Sequence, residues 1–191
     1  YPAPVPDKAP AQELTEVPRR LRPVLEQFAR KIQAGKRIRR DRDKLAAVID
    51  GLSRYRYSLD FQPSGDGTDP VVHFLTEERK GHCELFATSA VLLLRSMGLP
   101  ARYVTGLICE ERHPYSQYYI ARASNVHAWG EVYLADEKRW VLVEATPPSG
   151  DLPSARNTRK QGTFSSVLDL LKQTFQQAFA DVRRGYFADA V

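Results

Sequence analysis

The segment FATSAVLLLRSM (86–97) carries apolar residues on nearly every side, the pattern of a helix buried all round. Such a helix has no solvent face of its own, so the rest of the chain must enclose it. Gly98 and Pro100 supply its stop signal. Four segments that read as strands follow: ARYVTGL (101–107), QYYIARA (117–123), VHAWGEVYL (126–134) and RWVLVEA (139–145). Short turns containing ERHPYS and ADEK separate the later ones, which makes antiparallel pairing the simplest topology. Helices first and strands afterwards define an α+β chain rather than a doubly wound sheet.

Upstream, Leu14, Val17, Leu21, Val24, Leu25, Phe28 and Ile32 recur at i, i+3/i+4 spacing and predict an amphipathic helix. Pro18 and Pro23 interrupt the stripe, so its firm part is expected from Leu21 to Gly35. Asp41 opens a second helix with Leu45, Val48, Ile49 and Leu52 on one face. YRYSLDF (55–61) alternates like a strand, PSGDGTDP (63–70) is a loop by its breakers, and a short helix is expected over 70–79. At the far end Val167, Leu168, Leu171, Phe175, Ala178, Phe179, Val182 and Tyr186 predict a long amphipathic helix. The expected division is a linker over 1–12, proline-rich at its start, then a main domain over 13–150 with its N-terminal helices at 18–54. A loop and the last helix fill 151–191. No internal repeat is present. The chain starts at Tyr1, has Met97 as its only methionine and stops at Val191 without a closing cap. It is therefore expected to be cut from a longer polypeptide.

Hydrophobic content of 42% and charged content of 27% belong to an ordinary globular chain able to bury a core. No apolar run reaches the roughly 18 residues of a membrane span. The net charge of +5 is unevenly distributed: residues 19–44 hold eleven Lys/Arg against three acids. A basic run of this kind suits nucleic acid or an anionic membrane surface. Its one aromatic, Phe28, belongs to the apolar stripe and does not interleave as stacking on single strands requires, so the run reads as a solvated helical face and loop, with no nucleic-acid partner expected. Cys83 and Cys109 are too few for a disulfide framework, and pairing them would consume Cys83.

Cys83 follows Gly81-His82 at the expected first turn of the buried helix. Backbone N–H groups are unsatisfied there and the helix dipole favours negative charge, which lowers a thiol's pKa and makes the nucleophilic thiolate. His127 lies in a strand where Val126, Ala128, Val132 and Leu134 alternate with His127, Trp129, Glu131 and Tyr133, so it faces away from the valine set. Glu144 ends the next strand after the apolar VLV. An acid there needs a partner, and a histidine on the neighbouring antiparallel strand is a natural one. A carboxylate on one ring nitrogen orients the other toward a nucleophile.

GHCELFATSAVLLLRSMGLPARYVTG (81–106), NVHAWGEVYL (125–134) and RWVLVEATPP (139–148), in this order, resemble the core motifs of the transglutaminase-like superfamily. The similarity extends upstream through YRYSLD and FLTEERKG, over roughly residues 18–150, and that fuller pattern resembles the family's bacterial branch. The resemblance implies a papain-like fold with the central helix packed on an antiparallel sheet. It also implies Cys83 as nucleophile, His127 as general base and acid, and Glu144 as the third member of a catalytic triad. Two departures stand out. The family usually has aspartate where this chain has Glu144, longer by one methylene or about 1.5 Å, and Val126 stands where small or polar residues are common.

Glu131 is the rival acid, but i and i+4 on a strand lie about 13 Å apart, so a structural hydrogen bond is the better reading. Trp129, at i+2 from His127, is close enough to wall a pocket; Tyr55 or Tyr57 would lend a side-chain donor to an oxyanion hole beside the Cys83 N–H. Cys109, beside Glu110 and Glu111, reads as a bystander. His73, His82, His113 and His127 lack any zinc-type spacing, and GDGTD (65–69) reads as a turn, lacking the terminal glutamate of an EF-hand. The expected chemistry is acyl transfer from a protein or peptide amide through a thioester, resolved by an amine or by water, with no metal or organic cofactor. A cysteine protease or amidase on the same scaffold is the alternative, and a binding module that keeps the fold is a third. The resemblance further implies an extracytoplasmic domain of a membrane-anchored parent, with membrane proximity through that parent.

Overall fold

The computed structural model describes residues 12–109, 111–116, 118–122 and 125–147. All of the expected linker but Gln12, and the C-terminal loop and helix over 151–191, lie outside the described residues. The chain divides into two units, residues 1–106 with 126–151, and residues 107–125 with 152–191.

The first unit is organised around helix α4 (Cys83–Ser96), whose Phe86, Ala90, Leu93 and Leu94 are fully enclosed. It packs on strand β6 (Val126–Leu134) and on helices α1 (Arg22–Gln33) and α2 (Asp41–Ser53). α1 contributes Leu25, Phe28, Ala29 and Ile32, and α2 contributes Leu45, Val48 and Leu52, the residues at helical spacing. The carboxylate of Asp43 accepts the free N–H groups of Arg39 (2.8 Å) and Arg40 (2.9 Å), which anchors the start of α2. α4 ends in a Schellman motif: Gly98, at φ +81°, sends its N–H to Arg95, and Leu99 sends its N–H back to Leu94. That left-handed step turns the chain directly into the sheet.

The sheet has the order β3–β6–β7, with β3 at Ala101–Leu107 and β7 at Arg139–Val143. β6 and β7 are antiparallel, with Gly130 opposite Val143 and Leu134 opposite Arg139. Gly130, Val132 and Leu134 form the side toward α4, where a Cβ on Gly130 would meet Val91. β3 and β6 have the bounds that alternation predicts, whereas β7 stops two residues short of the expected 145.

Helix α3 (Pro70–His73), capped by the Asp69 carboxylate on Val71 N–H, runs into a π-helical turn over Phe74–Glu78, and Arg79 leaves it at φ 50°. The expected strand over 55–61 shrinks to β1 (Arg56–Tyr57), paired in parallel with β2 (Lys80–Gly81). Its alternation rested on Tyr55, Tyr57 and Leu59. Tyr55 is a core residue and Leu59 is 67% exposed, so the alternating face is not buried continuously, although Phe61 beyond it packs against the core. In the second unit β4 (Glu111–Arg112) and β5 (Tyr119–Ile120) form an antiparallel pair, with the Arg122 guanidinium on Glu111 (3.0 Å) and His113 stacked on Tyr118. Of the expected strand 117–123, only Tyr119–Ile120 is strand among the described residues. Among the described residues no helix is long and apolar enough to cross a membrane.

Four basic residues of the 19–44 segment are paired with acids: Arg20 with Asp69, Lys36 with Asp50, Arg42 with Glu137 and Lys44 with Asp41. The turn at 63–70 is closed by Asp66, which accepts from Ser64 and from Thr68 N–H (2.9 Å) and Oγ1 (2.6 Å).

Phe86 is fully buried and meets Phe74 edge to face at 5.0 Å. Phe86→Ala is expected to destabilise the fold by about 3–5 kcal/mol, the lost transfer term plus the cavity left behind. Urea unfolding followed by circular dichroism measures this.

Candidate active site

α4 begins at Cys83 itself. His82 is its N-cap in extended conformation, and no side chain caps the turn, so the positive end of the helix is open toward the thiol. Cys83 is half-buried and, like Cys109, a free thiol.

The His127 side chain is almost enclosed, at 6% exposure. Its Nε2 donates to Glu144 Oε2 at 2.7 Å, and its ring interacts with the Cys83 thiol. An imidazole has two nitrogens, so Nε2 on the carboxylate leaves Nδ1 for the sulfur. The bond to His127 is the largest influence on Cys83 and holds its thiol below the ordinary range, with the Ala128 N–H helping. Burial and the Glu84 charge oppose that shift. The same pairing, seconded by Glu144, raises His127 to about 9. Both shifts act in the direction that favours an imidazolium–thiolate pair.

Glu144 reaches the ring because β7 ends one residue before it. The β6–β7 register, carried one step further, sets Glu144 beside Trp129, on the face that bears His127. Free of the ladder, its Oε1 accepts the Thr146 N–H at 2.9 Å, so both carboxylate oxygens are engaged. Burial pushes this carboxyl up, but His127 and Thr146 outweigh it and hold it below the usual carboxylate range. Glutamate thus reaches the ring from the turn just past the end of β7.

Trp129 stacks on His127, with ring centroids 6.2 Å apart and planes at 21°. It lies over Gly106 of β3, where a Cβ would come within 2.7 Å of the indole; only glycine admits this approach. Glu131 is turned elsewhere: it accepts from Arg102 Nε at 2.7 Å, and the Arg102 guanidinium lies 4.4 Å over the Trp140 ring. Of the two tyrosines named for the oxyanion hole, Tyr57 lies opposite Gly81, two residues before Cys83. Burial raises its phenol first, and a charge on Cys83 raises it further. Tyr55 is a correction. It is 8% exposed, packs against Phe28 and Phe74, and donates its hydroxyl to Leu75 O, which removes it as an oxyanion donor.

Sequence reasoning missed Tyr103 on β3, 41% exposed, whose phenol is raised by burial and by the charges of Glu84 and Cys83. Alternation set Tyr103 on a strand face, but no local signal ties that strand to the start of α4. The Ala128 N–H was equally invisible, being backbone. His73 pairs with Glu77 and His82 lies near Glu84. Among the described residues no group of three or more His, Cys, Asp or Glu converges as a metal site.

A half-buried cysteine at a helix start, a histidine on the adjacent sheet and a carboxylate behind the histidine define the thiol site of papain-like α+β proteins. Comparison with known proteins bears on the family and the fold. The family model of the Transglutaminase-like superfamily matches residues 26–145. A 102-residue stretch, 53% of this chain, is 31% identical to protein-glutamine gamma-glutamyltransferase of Pseudomonas aeruginosa PAO1 and covers 15% of that protein. A 112-residue stretch is 36% identical to the uncharacterized protein YebA of Bacillus subtilis 168, again over 15% of its length. The chain therefore spans only a minor part of these relatives. Among solved structures, the periplasmic domain of TgpA from Pseudomonas aeruginosa superposes with a TM-score of 0.56 at 25% identity, covering 69% of this chain and 45% of that one. A candidate cysteine protease from Cytophaga hutchinsonii shares the fold, with a TM-score of 0.50 at 23% identity over 70% and 41% of the two chains. The chain belongs to the transglutaminase-like superfamily, and its fold is the papain-like α+β fold of that group.

Proposed function

We propose that this chain is the catalytic core of a cysteine acyltransferase that moves a protein or peptide acyl group, in the manner of a glutamine side chain, onto a primary amine. The observation that carries this reading is the 2.7 Å hydrogen bond from His127 Nε2 to Glu144, which leaves Nδ1 available to a thiol at the start of α4. Cys83 thiolate attacks the amide carbonyl; His127 gives its Nδ1 proton to the departing amine; a thioester remains. An acceptor amine then attacks the thioester, His127 takes a proton from it, and the thiolate returns. Glu144 keeps the ring oriented throughout. The Cys83 N–H at the helix start, with the Tyr57 hydroxyl, is the proposed cradle for the tetrahedral oxyanion. The name of the 31% identical relative, a gamma-glutamyltransferase, favours an amine as acceptor.

Hydrolysis of the same thioester is the second reading, because a half-buried thiol is open to water. Incubation with casein and a fluorescent primary amine separates the two, with Cys83→Ala as the blank. Label joined to casein is the expected result; casein fragments without label would mean a protease or amidase. Neither product would leave the chain a binding module. The likeness to a periplasmic domain supports an extracytoplasmic workplace; a membrane-anchored parent is part of the same proposal. Fractionating cells that carry a tagged full-length protein tests this, with the tag expected outside the cytoplasm.

A further inference from the structure

Resting on the acyl-transfer reading, we propose that Glu84 selects the acceptor: its carboxylate, exposed on the residue after Cys83, holds the ammonium of a cationic primary amine beside the thioester.

Glu84 lies in the first turn of α4 with its side chain 64% exposed. Its recorded ionic neighbour is His82 Nδ1 at 3.6 Å, beyond hydrogen-bond range. The His82 and Glu84 side chains thus come together from the two residues that flank the nucleophile. A first-turn acid suits the helix dipole, but this one works against the thiolate next to it, raising the Cys83 thiol that His127 lowers. Tyr103 on β3, 41% exposed, feels both the Glu84 and the Cys83 charge. An exposed carboxylate one residue from the nucleophile attracts an ammonium group.

Once the thioester has formed, the sulfur carries no charge and the repulsion from Glu84 is gone, while its pull on a cation remains. The arriving ammonium loses two protons in all, one to the neutral His127 and one to solvent. Its nitrogen forms the new amide bond as the carbon–sulfur bond breaks, and thiolate and imidazolium are restored. Glu84 would therefore act in the second half of the reaction and favour lysine-like amines over uncharged ones.

The test compares a dansyl-labelled diamine, cationic at its reactive end, with hydroxylamine, uncharged at neutral pH, as acceptors from casein. Glu84→Gln is expected to raise KM for the diamine about fivefold, the scale of one exposed ion pair, and to move KM for hydroxylamine less than twofold; Glu84→Asp restores part of the difference. Equal shifts for both acceptors, or none, would overturn the assignment. Salt supplies an arm without a variant: in the native chain, rising ionic strength raises KM for the diamine alone, and an indifferent KM speaks against Glu84. Failure of the native chain to use either amine removes the acyl-transfer reading itself, and this assignment with it.

Discussion

Glutamine in place of Glu144 is expected to lower amine incorporation by about 10³- to 10⁴-fold, the loss that follows when the orienting acid of a triad is neutralised. The reason is specific to this turn. Glu144 accepts twice, from His127 Nε2–H through one oxygen and from Thr146 N–H through the other. An amide has one acceptor and one donor end. If its carbonyl stays with Thr146, its NH₂ faces His127 and forces the tautomer whose Nδ1 already carries a proton and cannot accept one. If it turns round, the Thr146 N–H loses its partner. Either way the negative charge that helps to raise His127 disappears. Glu131→Gln is the control: it weakens the pair with Arg102, should lower the melting temperature by a few degrees, and is expected to leave kcat/KM within about tenfold. Steady-state incorporation of a fluorescent amine into casein, alongside thermal melts, reads both. If Glu131→Gln proved the more damaging, Glu144 would lose its role.

At pH 6, Cys83 should be alkylated by iodoacetamide far faster than Cys109 in the same chain, and His127→Ala should slow Cys83 by about 100-fold. An ordinary thiol with a pKa near 8.5 is only about 0.3% thiolate at pH 6. The signs follow from the pair. The Cys83 thiol is held low by His127, so thiolate persists below the ordinary range and is lost only as pH falls through that lowered value. His127 is raised to about 9, so its proton stays through neutral pH and is lost as pH rises through 9. Amide turnover needs both thiolate and imidazolium and should be bell-shaped, with its alkaline limb near 9. Alkylation needs only the thiolate and should show no such fall. Mass spectrometry of the two cysteine peptides over a pH series measures the alkylation rates. Equal rates for Cys83 and Cys109 at pH 6 would remove the ion pair and the mechanism built on it.

Helices α1, α2 and α4 and strands β3 and β6 are legible in the chain because each rests on interactions within a few residues. The apolar period, a proline before a start and Gly98 after an end are all local. Elements of two residues do not work that way. β1 and β2 exist because Arg56 and Ser58 find the carbonyls of Arg79 and Gly81 (2.9 and 2.8 Å), a pairing with no signature in either segment. Tyr55 and Tyr57 look alike in sequence and differ completely in the fold. One completes the core against Phe74, and the other lies near Cys83.

Residue order alone carries the proposed nucleophile at a helix start, the histidine on a strand and the acid at the end of the next strand. Those features depend on helix and strand periodicity, which neighbouring residues encode. The working geometry does not. That Nε2 rather than Nδ1 meets Glu144, seventeen residues away, follows from where β7 leaves the ladder and how β6 is paired with it. That the charges of Cys83 and Glu84 reach Tyr103 on β3 depends on tertiary packing and not on either segment's own sequence. These are contacts between segments far apart in the chain. Packing creates them, so they become readable only after the core around α4 has set the elements against one another.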